Sequence, residues 1–184
     1  MLYEIVSKDP EYALGLEEVI LGYTVYKYQY YVGSDEYIMV SQQATVESVA
    51  KVLIVDNQKR GLILILGKHL KYPEKSFLPD LPGGIVEEGE SEQFAAIREA
   101  KEECGVNLEA KKIQLAYAET AYYEKENKSV SKLLYIAHVT GSPDITLSWE
   151  HSDYEWTPID ELQSVVLRPF LKKAVEYSIT NGLL

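Results

Sequence analysis

From Gly84 to Val106 the chain reads GIVEEGESEQFAAIREAKEECGV, and no other stretch restricts the fold and the chemistry as much. Ser91 before an apolar-periodic run and Gly105 after it mark the ends of a helix over Glu92 to Cys104. At about 100° per residue, Glu99, Glu102 and Glu103 share one face, through i, i+3 and i, i+4 spacings. Phe94, Ile97, Ala100 and Cys104 share the opposite face. The pattern predicts a helix with one side in the core and an acidic side pointing away from it. Like charges at this spacing oppose each other by roughly 0.2–0.5 kcal/mol per pair. Two explanations are open for such a cluster. One is a solvated face on which Arg98 and Lys101 relieve the repulsion. The other is a site for a hard cation, since Mg²⁺ takes oxygen ligands from a few carboxylates together with substrate phosphate.

The spacing around that helix decides between them. Gly84, five residues, Glu90, seven residues, Arg98-Glu99-Ala100, one residue, Glu102-Glu103, one residue and Gly105-Val106 resembles the Nudix box position for position. Ala100 stands where the pattern asks for a bulky aliphatic, and Leu81-Pro82-Gly83 resembles the family's lead-in. The resemblance covers about residues 46–166 and is strongest over 81–106. It implies an α/β (α+β) fold of the Nudix kind, an α/β/α sandwich around a mixed sheet. It also implies a hydrolase that cleaves a diphosphate linkage with Mg²⁺, or Mn²⁺ in its place. Glu99, Glu102 and Glu103 are similar to the family's catalytic metal ligands, with the carbonyl of Gly84 as a further ligand. Glu90 and Arg98 are implied to brace loop against helix, and Gly105 to turn the chain after it. The base is Glu102 or Glu103, or a glutamate outside the box. For the last role Glu150 is the foremost candidate, because some Nudix triphosphatases carry a metal-reaching glutamate six residues before a tryptophan, here Trp156. A surface turn is the plain alternative for Glu150. Glu119, Glu124 and Glu155 are lesser candidates. His69 and His151 read as loop histidines, and Cys104 as core packing.

Substrate class is less legible. Family members acting on ADP-ribose often carry a proline about fifteen residues after the box, where this chain has Glu119-Thr120-Ala121. Those acting on diadenosine polyphosphates often carry a tyrosine slightly further on, and Tyr122 and Tyr123 stand there as candidate substrate contacts. The expected substrate is a nucleoside diphosphate derivative or a nucleoside triphosphate. A catalytically silent Nudix-fold module that senses nucleotides is the alternative, and hydrolysis of a capped RNA end a third reading.

Bulk properties agree. With 29 acidic against 18 basic residues the net charge is −11, which disfavours binding to long nucleic acid. A polyanionic nucleotide can still be held through a cation. The longest apolar run, Leu62 to Leu66, is far short of a membrane span. The single cysteine and the lack of a basic-then-apolar leader fit a cytoplasmic protein.

Residues 1–44 read as a separate extension to a hydrolase domain over 45–184, because they hold eight of the fifteen tyrosines. Val25 to Val32 and Glu36 to Ser41 are predicted strands around a turn at Gly33, Ser34 and Asp35. The extension is either a hairpin packed on the core, or an arm that makes a homodimer or covers substrate. Further strands are predicted at Ser48 to Val55, Leu62 to Lys68, Ile113 to Thr120 and Lys132 to Thr140, Trp149 to Trp156 is a strand or an extended loop, and helices are predicted near Asp160 to Val165 and from Pro169 to Ile179.

Overall fold

The computed structural model describes residues 13–21, 24–31 and 45–184, and these fall into two compact units. One joins the N-terminal stretch through Glu47 to Ala121–Val130; the other comprises Ser48–Thr120 and Ser131–Leu184. In the first, β1 (Ala13–Leu21) and β2 (Thr24–Tyr31) form an antiparallel ladder from Leu21↔Thr24 to Ala13↔Tyr31. The expected strand at Val25 to Val32 thus coincides with β2 up to Tyr31, while its expected partner at Glu36 to Ser41 lies outside the described residues. The partner seen, β1, escaped notice because Glu17 and Glu18 interrupt the apolar alternation.

In the second unit the strands alternate between two cores. Along β3 (Thr45–Val55), Ala50, Val52 and Ile54 enter one apolar cluster, and Leu53 and Val55 enter another. In β4 (Arg60–Leu66), Leu62 and Leu64 join the first and Ile63 the second. A strand covered on both faces reads as a continuous apolar run, which is why these two were legible. Helix α1 (Glu92–Cys104) supplies Ala95, Ala96, Ala100 and Cys104 to the first cluster. Helix α2 (Pro169–Thr180) supplies Leu171, Ala174 and Val175 to the second. The sheet therefore lies between helices, as the resemblance implies.

The remaining strands are β5 (Pro79–Asp80), β6 (Gly83–Ile85), β7 (Ile113–Tyr123), β8 (Lys128–His138) and β9 (His151–Pro158). They make a seven-stranded sheet in the order β5-β4-β3-β8-β7, with β6 on β3 and β9 on β4. The helix expected near Asp160 to Val165 is a 3₁₀ helix over Ile159–Ser164.

Both ends of α1 follow from local chemistry. The Ser91 hydroxyl accepts a hydrogen bond from the Phe94 amide at 3.3 Å, satisfying one of the helix's unpaired donors. Gly105 adopts a left-handed conformation with φ 75°, and the amides of Gly105 and Val106 close back on the carbonyls of Lys101 and Ala100. Phe94 is a correction. It is 59% exposed, whereas Ala95 and Ala96 pack inward, since α1 meets the sheet through its alanines.

Gly83 is fixed in the fold by space and conformation together. Its φ is 138°, and a Cβ there would stand 2.2 Å from the carbonyl oxygen of Ala50. Gly83→Ala is expected to cost at least about 3 kcal/mol, because both the backbone and β3 must yield. A urea melt showing a loss under about 1 kcal/mol would refute this.

Candidate active site

Strand β6 runs beside α1, and its two leading glycines bring backbone up to the acidic turn. The Gly83 amide donates to Glu103 Oε2 at 2.8 Å. A Cβ on Gly84 would lie 2.4 Å from Glu99 Oε1. The acidic side of α1 is therefore not uniformly turned to solvent as the helical pattern predicts. Glu103 is buried at 8% exposure, the Glu99 side chain is 16% exposed, and only Glu102 faces outward, its side chain 60% exposed. A helical wheel shows which residues share a face but not that β6 covers half of it.

Arg98 organises the outer part of the cluster. Its Nε and Nη2 donate to the two oxygens of Glu90, each at 3.1 Å, the forked geometry that guanidinium and carboxylate favour. Nη1 donates to Glu99 Oε1 at 2.8 Å and Glu102 Oε2 at 3.1 Å, and Nη2 also reaches the Ile85 carbonyl at 3.2 Å. Glu90, then Glu99 and Glu102, hold this guanidinium protonated well above its usual range. The Glu90 carboxyl is correspondingly lowered, chiefly by Arg98. The pair thus ties the loop over 86–90 to the helix.

A second charged group lies on the inner side. Lys51 of β3 donates to Asp80 Oδ2 at 3.1 Å and to the Leu81 carbonyl at 2.9 Å. Arg168, at the head of α2, reaches the same Asp80 oxygen at 2.5 Å, and the Leu81 amide donates to Oδ1 at 2.8 Å. Burial alone would raise the Asp80 carboxyl, but Lys51 and then Arg168 overcome it and hold it below its ordinary 3.8. Glu103 is shifted the other way. Burial pushes it up to about 7; Lys51 and the Gly83 amide oppose the rise, and the charges of Glu99 and Asp80 add to it. His151 is buried at 6% exposure, and neither ring nitrogen has a hydrogen-bond partner among the described residues. Burial, and next the charge of Lys51, depress its pKa; Asp80 and Glu150 act against them. This imidazole is a neutral core group, not the loop histidine expected.

Among the described residues, no three acidic, imidazole or thiol side chains converge as a ready-made metal cluster. Arg98 draws Glu99 and Glu102 to one side, and the Gly83 amide holds Glu103 on the other. The donor set nonetheless fits a hard divalent cation. It is all oxygen, and the missing Cβ of Gly84 leaves room for Glu99 directly against β6. Glu103 couples unfavourably to two further carboxylates in the same recess, a repulsion that a cation removes.

The other residues singled out are dispersed. Glu150 is exposed in the turn before β9, and its backbone carbonyl accepts from the Gly67 amide at 2.7 Å. One residue earlier in this turn is Trp149, and the Ser148 amide before it donates to the Glu103 carbonyl at 2.9 Å. Glu150 is thus anchored to both α1 and β4 through its neighbours. Glu119 is taken up by Lys173 at 2.7 Å. Glu155 lies exposed in β9, and Glu124 opens a 3₁₀ turn after β7. Tyr122 and Tyr123 end β7 and belong to the other compact unit, where the Tyr122 hydroxyl donates to Asn127 Oδ1 at 2.8 Å. Cys104 is buried in the core and its thiol is pushed up to about 11, mainly by burial, which suits packing rather than nucleophilic chemistry. Lys51, Asp80 and Arg168 were missed by the sequence reading. The available signal was a lysine inside an apolar strand and an aspartate between Pro79 and Leu81, since such charges are buried only when paired.

Comparison with known proteins bears on this arrangement. A family model described as the NUDIX domain matches residues 46–177. The asymmetrical bis(5′-nucleosyl)-tetraphosphatase of Caenorhabditis elegans is 33% identical over 109 residues, spanning 59% of this chain and 78% of that protein. Among solved structures, a MutT protein from Methanosarcina mazei Go1 superposes with a TM-score of 0.63 at 22% identity, covering 77% of this chain and 99% of that one. A binary complex of an Ap4A hydrolase from C. elegans superposes with a TM-score of 0.57 at 25% identity, covering 74% and 97%. No helix among the described residues is long and apolar enough to cross a membrane.

Proposed function

The chain belongs to the NUDIX family and is a pyrophosphohydrolase, and on that premise we propose that it cleaves a phosphoric anhydride of a nucleoside polyphosphate with a divalent cation, Mg²⁺ or Mn²⁺, at the Glu99–Glu102–Glu103 turn. The observation that carries this reading is the close packing of β6 on α1, where two glycines admit a buried carboxylate and a half-buried one side by side. The relative from C. elegans, named for a dinucleoside tetraphosphate, supports a substrate with a long phosphate chain.

Glu99, Glu102, Glu103 and the Gly84 carbonyl are the groups that would hold the cation, with Glu150 as a further donor; when bound, it neutralises phosphate charge and acidifies the attacking water. The chain's own residues perform the rest. Arg98 keeps its fork on Glu90 and so fixes the loop over 86–90 against α1. Glu103 is the better base of the two candidates in the box. Its Oε2 accepts from the Gly83 amide and burial raises its affinity for a proton, whereas Glu102 is exposed. Lys51 opposes that rise. We assign the hydrolase domain to residues 45–184 and a cytoplasmic location to the protein.

A panel of ATP, dinucleoside polyphosphates and nucleoside diphosphate derivatives, each with Mg²⁺, Mn²⁺ or EDTA, tests the proposal. The expected result is release of a phosphate-bearing product from the polyphosphates, lost in EDTA. Turnover that persists in EDTA would remove the cation, and inertness toward the whole panel would remove the activity.

A further inference from the structure

Between β4 and β5 the chain leaves the sheet for the twelve residues 67–78. Leu66 closes the excursion from both sides: its carbonyl accepts from the Phe77 amide, and its amide donates to the Leu78 carbonyl, each at 3.0 Å. The loop is ordered by its own side chains. The Ser76 hydroxyl accepts from the His69 amide at 2.8 Å, and His69 Nδ1 accepts from the Tyr72 amide at 3.0 Å.

This loop differs from the rest of the molecule in two respects. In a chain of net charge −11, it presents three exposed lysines, Lys68, Lys71 and Lys75, against one glutamate, Glu74. The Lys75 and Lys71 ammonium groups stand 4.3 and 5.1 Å from the centroid of the same Tyr72 ring, which positions both charges on one rigid support. It also exposes Phe77 at 61%, and does so from a left-handed backbone, φ 61°, that a bulky residue adopts only under strain. Beside the loop's base, Trp149 is 90% exposed. Its position is determined on both sides: Ser148 is bonded to the backbone of Glu103, and Glu150 to the amide of Gly67, the loop's first residue. A Cβ on Gly67 would approach the Glu150 carbonyl to 3.0 Å, so the two segments are in close backbone contact. A cationic loop, an exposed indole and the acidic turn of α1 are thereby joined in that order.

We propose that loop 67–77 and Trp149 form the subsite that takes the outer phosphates and one nucleobase of the substrate, Lys71 and Lys75 binding phosphate and Trp149 stacking on the base. The inference rests on the nucleoside-polyphosphate reading above and adds to it the residues that select for chain length and for a base. The lysines supply the positive charge that a polyphosphate needs beyond the cation, and an exposed indole supplies the stacking face.

Binding measured by titration calorimetry, with Mg²⁺ and two probes, tests this apart from hydrolysis. The probes are β,γ-methylene ATP and inorganic tripolyphosphate. Both are expected to bind wild type, the nucleotide with a change in Trp149 emission. Trp149→Ala should weaken the nucleotide about tenfold and leave tripolyphosphate within twofold, and Trp149→Phe should retain most of the affinity. Lys71→Ala/Lys75→Ala should weaken both probes about tenfold. Binding in this pattern without hydrolysis of ATP or diadenosine tetraphosphate would leave the subsite standing and overturn the function proposed above. Unchanged affinity in these variants would overturn the subsite, as would failure of wild type to bind either probe. So would a Trp149→Ala protein whose only change is conversion of a dimer to monomer, since the patch would then belong to a second copy.

Discussion

Replacing Glu103 by glutamine is expected to lower kcat by about 10³-fold and, in EDTA at pH 8, to make the protein more stable. The two effects share a cause. Glu103 is buried against β6, and burial together with Glu99 and Asp80 raises its carboxyl from an ordinary 4.5 to about 7. A group that binds its proton more tightly when folded destabilises the fold as pH rises. Between about 4.5 and 7 the folded chain holds more protons than the unfolded one, so stability falls across that window and the full cost is present above it. A rise of this size corresponds to roughly 3 kcal/mol, an order-of-magnitude figure. Glutamine still accepts from the Gly83 amide but carries no charge, so the variant should show no such fall. Urea melts of both proteins at pH 5 and pH 8 in EDTA, with kcat in Mg²⁺, check this. Adding Mg²⁺ at pH 8 should recover stability in wild type more than in the variant. Turnover within tenfold of wild type would remove Glu103 as the base, and equal pH slopes would remove the buried charge.

How much of this was legible in the sequence varies by element, for physical reasons. The bounds of α1 could be read because Ser91 and Gly105 perform backbone tasks that few other residues can perform. The two-sided sheet could be read from β3 and β4, whose apolar runs lack alternation because helices cover both faces. The orientation of the three glutamates could not be read. Helical spacing places Glu99 and Glu103 one turn apart, but their burial depends on β6, fourteen or more residues away along the chain, and on Gly83 and Gly84 having no side chain. The Lys51–Asp80–Arg168 group was out of reach for a similar reason. Its members come from β3, β5 and the start of α2, and only the fold brings them together. The strand expected to run to Lys68 ends at Leu66, and the stacking of Lys71 and Lys75 on Tyr72 required the closure of the loop over 67–77 by Leu66.

That three-element group also sets the second large expected effect. Lys51→Met should destabilise the protein by about 3 kcal/mol, the low end for breaking a buried ion pair. Lys51 is 7% exposed and Asp80 is 3% exposed, so removing the ammonium leaves a carboxylate that water cannot reach. Arg168 and the Leu81 amide still serve it, which keeps the loss from the upper end. Asp80 is held below its ordinary 3.8, so its contribution is present above that value and is lost as pH falls through the lower, folded one. Without Lys51 the depression shrinks, and acid unfolding should begin at higher pH. The Glu103 carboxyl loses the same opposing charge, so kcat in Mg²⁺ should show its acidic limb shifted upward in pH. The double variant Lys51→Met/Asp80→Leu separates charge from packing. Arg168, whose side chain is 42% exposed, can turn to solvent once Asp80 is gone, so the double variant should recover at least half of the single variant's loss. A Lys51→Met protein that melts within about 1 kcal/mol of wild type, or a double variant whose losses simply add, would show that the ion pair does not couple β3 to β5 and α2.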